Sequence, residues 1–309
     1  MRKKSVFTLT LLFLLGLVFI IPAKPASLQT SIIPDNARWV IHFDVQKFTS
    51  TRFCELLKQD EAIGLEKKTL KISKMFKFDP LKDIMGITVF GAGKGKKNTV
   101  VCLSGNFNKD HLLILLNMNV DHREIPYGKY TIHNWHRSQF GTFANDHLVV
   151  IANNESVLKN VLDVIAGKKK NIGASNLMPH LRGIPKDAFL RAVIDNISYL
   201  LGADDVSTIL KKTGMAFFIA MERNQNLTMK LKLTTDSPET AKNIQQIVTG
   251  FLALAKLKQN QGEIDPKLKL LDDLKVRLEG NIVQIELTHP SKDLVKMFSH
   301  SKGHFDIFD

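Results

Sequence analysis

The sequence predicts an α+β fold built as two related units. Each has the order β-α-β-β-α-β-β-α, in a mainly antiparallel sheet with helices packed on one face. Three observations lead there. A stretch beginning at residue 33 recurs at residue 184, strand-like runs are joined by hairpin turns in both halves, and amphipathic helical stretches follow at matching places. The units span residues 32–167 and 177–303, with a linker at 168–176, an apolar leader at 1–26 and a short tail at 304–309.

The repeat opens with "IPDNARWVIHFD" (33–44) and "IPKDAFLRAVID" (184–195). Both carry Ile-Pro, an Asn or Asp, then Ala, with Asp seven residues beyond the Ala, at a constant offset of 151. Each reads as a mostly apolar strand ending in Asp. Helical candidates follow at "TSTRFCELLKQ" and "NISYLLGADDVSTILKK". Next come "GITVFGAG" (86–93), matched by "GMAFFIAM" (214–221), and "NTVVCLSGNF", matched by "LTMKLKLTTD". The helices "NKDHLLILLNM" and "SPETAKNIQQIVTGFLALAK" come after them. In the second, Ser237 is a candidate N-cap with Pro238 at the first helical position. Ala241, Ile244, Ile247, Val248, Phe251, Leu252 and Ala255 recur at helical spacing as a core-facing stripe. Each half closes with a hairpin, turning at Asn145-Asp146 or Gly280-Asn281, and a helix, "NESVLKNVLDVIAG" or "PSKDLVKMFSH". The first half has one added strand, "KYTIHNW".

The leader "MRKKSVFTLTLLFLLGLVFIIPAKPAS" combines three basic residues, a long apolar stretch and small residues at Ala23, Ala26 and Ser27. That is the layout of a secretory signal, or of an uncleaved anchor, since the apolar run approaches bilayer length. No cysteine lies beside the small residues, which argues against lipid attachment there. The expectation is export to the periplasm or cell envelope.

Beyond the leader, charge is uneven. Residues 27–172 carry 21 Lys+Arg against 14 Asp+Glu, and residues 173–309 carry 18 against 16. The excess is densest from Lys58 to Lys97, with Lys67, Lys68, Lys71, Lys74, Lys94, Lys96 and Lys97 as candidate contacts to an anionic partner. An envelope polymer or a membrane surface is expected, or else a solvated basic surface. Cys54 falls in a helix and Cys102 in a strand. Two cysteines exclude a disulfide scaffold but leave one bridge open.

The Gly-rich "FGAGKGKKNTVV" (90–101) looks like a phosphate cradle. A dinucleotide fingerprint needs Gly-x-Gly-x-x-Gly leading into a helix, and a P-loop needs Gly-Lys followed by Ser or Thr. Here Gly91, Gly93 and Gly95 alternate, a strand comes next, and the matching turn in the second half, "MERNQN", has no glycine. The stretch reads as a hairpin turn, so no nucleotide or other cofactor is expected.

Asp44 and Asp195, at matching strand ends, are the only candidate catalytic carboxylates, for a hydrolase or other enzyme with a cleft between the halves. Helix capping is the simpler role for them. His133 and His136 in "HNWH" fall on a strand, pointing to opposite faces, and His42, His111, His122 and His147 are scattered with no Cys or acid at ligand spacing. No metal is expected. Nucleophile motifs are absent, and with 8% aromatics there is no stacking series for nucleic acid.

"IIPDNARWVIHFDVQKF", "FDPLKDIMGITVFG" and "FANDHLVVIANNESVLKNVLDVIAGKK" together resemble a family of exported bacterial proteins of unknown function, across most of residues 32–172. The resemblance lies in hydrophobic pattern. It implies export and a two-part α+β fold, and brings no catalytic residues. The expected role is non-enzymatic binding or scaffolding in the envelope, with the basic first half meeting an anionic component. A structural subunit with a protein partner is the other non-enzymatic expectation.

Overall fold

The computed structural model describes residues 27–93, 98–197, 212–260 and 270–300. Within these, the apolar runs form twelve strands of one antiparallel sheet. The first half supplies β1 (Trp39–Asp44), β2 (Ile84–Gly91), β3 (Thr99–Gly105), β4 (Arg123–Tyr127), β5 (Tyr130–His136), β6 (Gln139–Asn145) and β7 (Leu148–Ala152). The second supplies β8 (Leu190–Ile194), β9 (Thr213–Arg223), β10 (Asn226–Thr235), β11 (Leu274–Glu279) and β12 (Ile282–Pro290). Their spatial order is β11-β12-β10-β9-β8-β1-β2-β3-β7-β6-β5-β4. The halves join where β1 pairs antiparallel with β8, Trp39 opposite Ile194 and Phe43 opposite Leu190. Outward from that pair the order is β1-β2-β3-β7-β6 on one side and β8-β9-β10-β12-β11 on the other.

The helices are α1 (Val45–Thr49), α2 (Arg52–Gln59), α3 (Leu65–Phe76), α4 (Pro80–Asp83), α5 (Lys109–Asn117), α6 (Glu155–Ile165), α7 (Met178–Arg182), α8 (Pro238–Asn260) and α9 (Ser291–His300). The α+β class and the antiparallel sheet are as the sequence indicates, but helices cover both faces, not one. Side chains alternate along each strand. In β3, Val101 and Leu103 join a core with Phe48, Phe53, Leu81, Ile244 and Leu294, under α1, α2, α4, α8 and α9. Val100 and Cys102 join a second core with Leu158, Val161 and Leu162 of α6. Ile172, in the stretch expected to be a linker, is fully buried in that second core, and its N–H donates to the Ile33 carbonyl at 2.8 Å.

Four local expectations change. The predicted helix at 49–59 is α2 alone, which starts at Arg52 with Thr51 as its cap, and a separate short helix that was not expected, α1, precedes it. α3 was not anticipated. Nor was β4, "REIPY", whose Pro126 lacks a donor for the ladder. β4 is an edge strand, where that donor is not needed. The stripe expected on α8 is only partly buried: Ala241 and Ile244 are in the core, whereas Ile247 and Phe251 are exposed. The predicted helix at 196–212 lies almost wholly outside the described residues.

Cys54 belongs to the first core and Cys102 to the second, so the sheet separates them. Both are free, which removes the bridge left open by the sequence, and burial pushes both thiols up.

The Gly-rich stretch connects β2 to β3, which pair antiparallel from Gly91↔Thr99 to Ile84↔Gly105, and its residues 94–97 lie outside the described residues. Gly91 is needed for packing: a Cβ there would lie 2.7 Å from the Trp39 indole and 2.9 Å from the Asn98 carbonyl. Gly91→Ala is expected to destabilise the fold by about 1–3 kcal/mol, the usual cost of overpacking, as read by urea unfolding. An unchanged midpoint would show that Trp39 moves aside freely.

Candidate functional site

α3 and α5 stand beside each other on the face of the sheet that carries the first core. Each end of α3 is set by a left-handed residue, Gly64 (φ 63) and Lys77 (φ 53). Only Thr69 of α3 is fully buried, its hydroxyl donating to the Leu65 carbonyl at 2.5 Å. Leu70 and Met75 are 55% and 54% exposed. Lys67, Lys68, Lys71 and Lys74 are exposed on the same helix.

α5 opens at Asn108, whose Oδ1 accepts from the His111 N–H at 3.0 Å. Its run "LLILL" would fill a core, yet no residue of α5 is fully buried. Ile114 is 57% exposed, and Met118 and Val120, just beyond the helix, are 75% and 99% exposed. His111 Nε2 lies 3.4 Å from the Met75 carbonyl, tying the end of α3 to the start of α5. The pair presents apolar side chains to solvent with lysines among them, where an ordinary monomer surface scatters such residues singly. Lys94, Lys96 and Lys97, the other predicted contacts, lie outside the described residues.

The two candidate carboxylates do not form a site. Asp44 is fully buried and caps α1, its Oδ1 accepting from the Lys47 N–H at 3.0 Å and its Oδ2 pairing with Lys47 Nζ at 2.5 Å. Asp195 pairs with Arg38 at 3.0 Å, partly exposed. Because β1 and β8 run antiparallel, Asp44 sits beside Phe189 and Asp195 beside Arg38. About six residues of strand, roughly 20 Å, therefore separate them. They do not come together in a cleft between the halves. Asp44→Ala should cost about 1–2 kcal/mol in thermal unfolding through the lost cap. Asp195→Ala should cost under about 1 kcal/mol, as for an exposed ion pair. Equal losses would contradict this division.

A cavity of about 260 Å³ lies beside the β2–β3 turn, with Asn36, Gly91, Asn98, Ser156 and Asn160 in its wall. Among the described residues no acid, lysine or histidine lines it. His42 is buried with its Nδ1 2.9 Å from Thr88 Oγ1, and His147 Nδ1 lies 3.2 Å from the Gly105 carbonyl. His133 and His136 fall on β5, as expected.

The sequence reading missed a cluster at the edge of the sheet. His122 Nε2 is 3.1 Å from His133 Nδ1, and Glu124 Oε1 is 3.6 Å from the same nitrogen. His133 is 5% exposed, and burial pulls its pKa below the usual histidine value against the opposing charge of Glu124. The signal was present in "HREIPYGKYTIH": a tight turn at Gly128 places Glu124 opposite His133.

No family model matches this chain, and no curated protein matches it in sequence. Solved structures do resemble it. Crystal form III of TP0453 aligns with 90% of this chain and 99% of its own length, at TM-score 0.53 and 12% identity. Crystal form I of the same protein aligns with 89% and 98%, at TM-score 0.52 and 12% identity. The likeness extends over most of both chains and concerns the fold. Among the described residues no helix is long and apolar enough to cross a membrane.

Proposed function

We propose that this is an exported envelope protein with a non-enzymatic role, docking on an anionic membrane surface through α3 and α5. The observation that carries the reading is the exposure of Leu70, Met75, Ile114, Met118 and Val120 beside Lys67, Lys68, Lys71 and Lys74. Apolar side chains that enter the headgroup region, with lysines that meet lipid phosphates, are the two components of interfacial binding. A polymer partner would use the lysines but leave the five apolar side chains unexplained. The matching strand order outward from β1 and β8 supports reading the two halves as related units.

The test is co-sedimentation of the chain lacking residues 1–26, whose apolar run would insert by itself, with vesicles of phosphatidylcholine alone or with phosphatidylglycerol. Salt should be varied from about 0.1 to 1 M, which shortens the screening length from about 10 to 3 Å. Binding selective for phosphatidylglycerol and weakened, not abolished, by salt is the expected result. Binding only to an anionic envelope glycan, or to neither, would overturn it.

A second reading has one observation in its favour. Ile247, Phe251, Leu254 and Leu257 make an exposed apolar stripe along α8, which suits a structural subunit that pairs with another protein. A partner that stays bound at high salt, and is lost on Phe251→Ser, would support it. The separation of Asp44 from Asp195 leaves the enzyme reading without comparable support.

A further inference from the structure

We propose that His122, Glu124 and His133 form a binding site for a divalent transition-metal ion, with zinc as the best match. The β4–β5 hairpin builds the cluster. Its turn at Gly128 (φ 59) sets the register Tyr127↔Tyr130, Ile125↔Ile132 and Glu124↔His133. Glu124 and His133 are thus direct cross-strand neighbours, and His122, two residues before Glu124, lies on the same side.

The distances suit a shared ion. One ligand atom from each of the three residues lies within 4.8 Å of the others. In a tetrahedral site with bonds of about 2.0–2.1 Å, ligand atoms stand about 3.3–3.4 Å apart. The observed 3.1 Å between the two nitrogens and 3.6 Å between His133 and Glu124 fall on either side of that value. The rings are nearly parallel, 17° between planes with centroids 5.3 Å apart. Without metal, one nitrogen donates a proton to the other. A cation takes the place of that proton, which passes to the other nitrogen of its own ring or to water, leaving both facing nitrogens as lone-pair donors.

The surroundings hold the ligands in place. His133 is buried in β5. His122 follows a turn fixed by its own N–H to the Asn119 carbonyl at 2.9 Å, and by Asn119 Nδ2 to the Trp135 carbonyl at 2.8 Å. Lys109, whose charge acts on His133, extends over the Phe143 ring at 5.7 Å. Two imidazoles and one carboxylate favour zinc, copper or nickel over calcium or magnesium, which take oxygen ligands. Three protein ligands, with Glu124 on the solvent side, leave a fourth position for water or for a group from another molecule.

The test is zinc titration of the metal-free, full-length protein without a histidine tag. Calorimetry reads affinity and nitrogen-detected NMR reads the imidazoles. One zinc per chain is expected, with the His122 and His133 signals shifted and calcium without effect. His122→Ala, at a half-buried position, should lose at least about 10–100-fold in affinity, since even second-shell changes cost that much. Glu124→Gln should lose less, and His136→Ala nothing. Equal zinc affinity in His122→Ala and the unaltered protein, signals shifted at other histidines, or no binding at all would overturn the proposal. A zinc-induced rise in Tm, absent from His122→Ala, separates metal binding from a purely structural role for the imidazole pair.

Discussion

Replacing Lys67, Lys68, Lys71 and Lys74 together by Gln is expected to lower partition onto phosphatidylglycerol vesicles by about 100–1,000-fold at low salt. Each lysine held near an anionic surface contributes about 1 kcal/mol, and about 1.4 kcal/mol corresponds to tenfold. The four stand exposed on one helix, and Gln retains helix propensity, so α3 should remain folded. Replacing Ile114 and Met118 by Ser should instead reduce the part of binding that survives high salt, because that part comes from apolar burial. The two variants therefore report on different components. If the lysine variant binds anionic vesicles as well as the unaltered chain, the docking surface is not α3–α5. If the serine variant alone binds normally, the contact is electrostatic and a soluble anionic polymer becomes the better partner.

Glu222→Ala is expected to lower stability by about 3 kcal/mol. Glu222 lies on β9, in the second half, yet its carboxylate accepts from the backbone N–H groups that open α2 in the first. Arg52 N donates at 2.5 Å and Phe53 N at 2.8 Å, and Ser291 Oγ, at the start of α9, donates to the same carboxylate. Hydrogen bonds to a charged group contribute about 1.5–3 kcal/mol each, with part regained when water reaches the freed groups. A carboxylate at a helix N-terminus also meets the positive end of the helix dipole. In a chain of this size the loss corresponds to a fall in Tm of roughly 5 °C. Glu222→Gln, which keeps one acceptor oxygen, should fall between. A change in Tm under about 2 °C would mean that water caps α2 equally well.

Asp44 shows how far local chemistry reaches. Its place at the end of an apolar run, just before a helical stretch, identifies a cap, and the structure has that cap. The Gly-rich hairpin was legible for the same reason. Whether glycines serve a turn or a cradle depends on the next element of the chain, and here that element is a strand. Glu222 could not be read in this way. "MERNQN" is a polar turn by every local measure, and nothing within it indicates a helix opening 170 residues earlier in the chain. The α8 stripe misled because helical periodicity identifies an apolar face but not whether a layer lies against it. α5 is the stronger instance, five consecutive apolar residues with none fully buried.

Strands, hairpins, the antiparallel α+β class and the position of the basic excess are all written in the chain locally. They come from side-chain period, turn sterics and composition, all of which act over a few neighbouring residues. Which strands meet, and on which face each side chain falls, was settled only by the assembled sheet. The antiparallel β1–β8 pairing sends Asp44 and Asp195 to opposite ends of that strand pair, and the sheet places Cys54 and Cys102 on opposite sides. The β4–β5 register gathers His122, Glu124 and His133 from residues that local spacing had scattered. Pairing and layering are set by long-range burial, and a one-residue change of register would exchange every face.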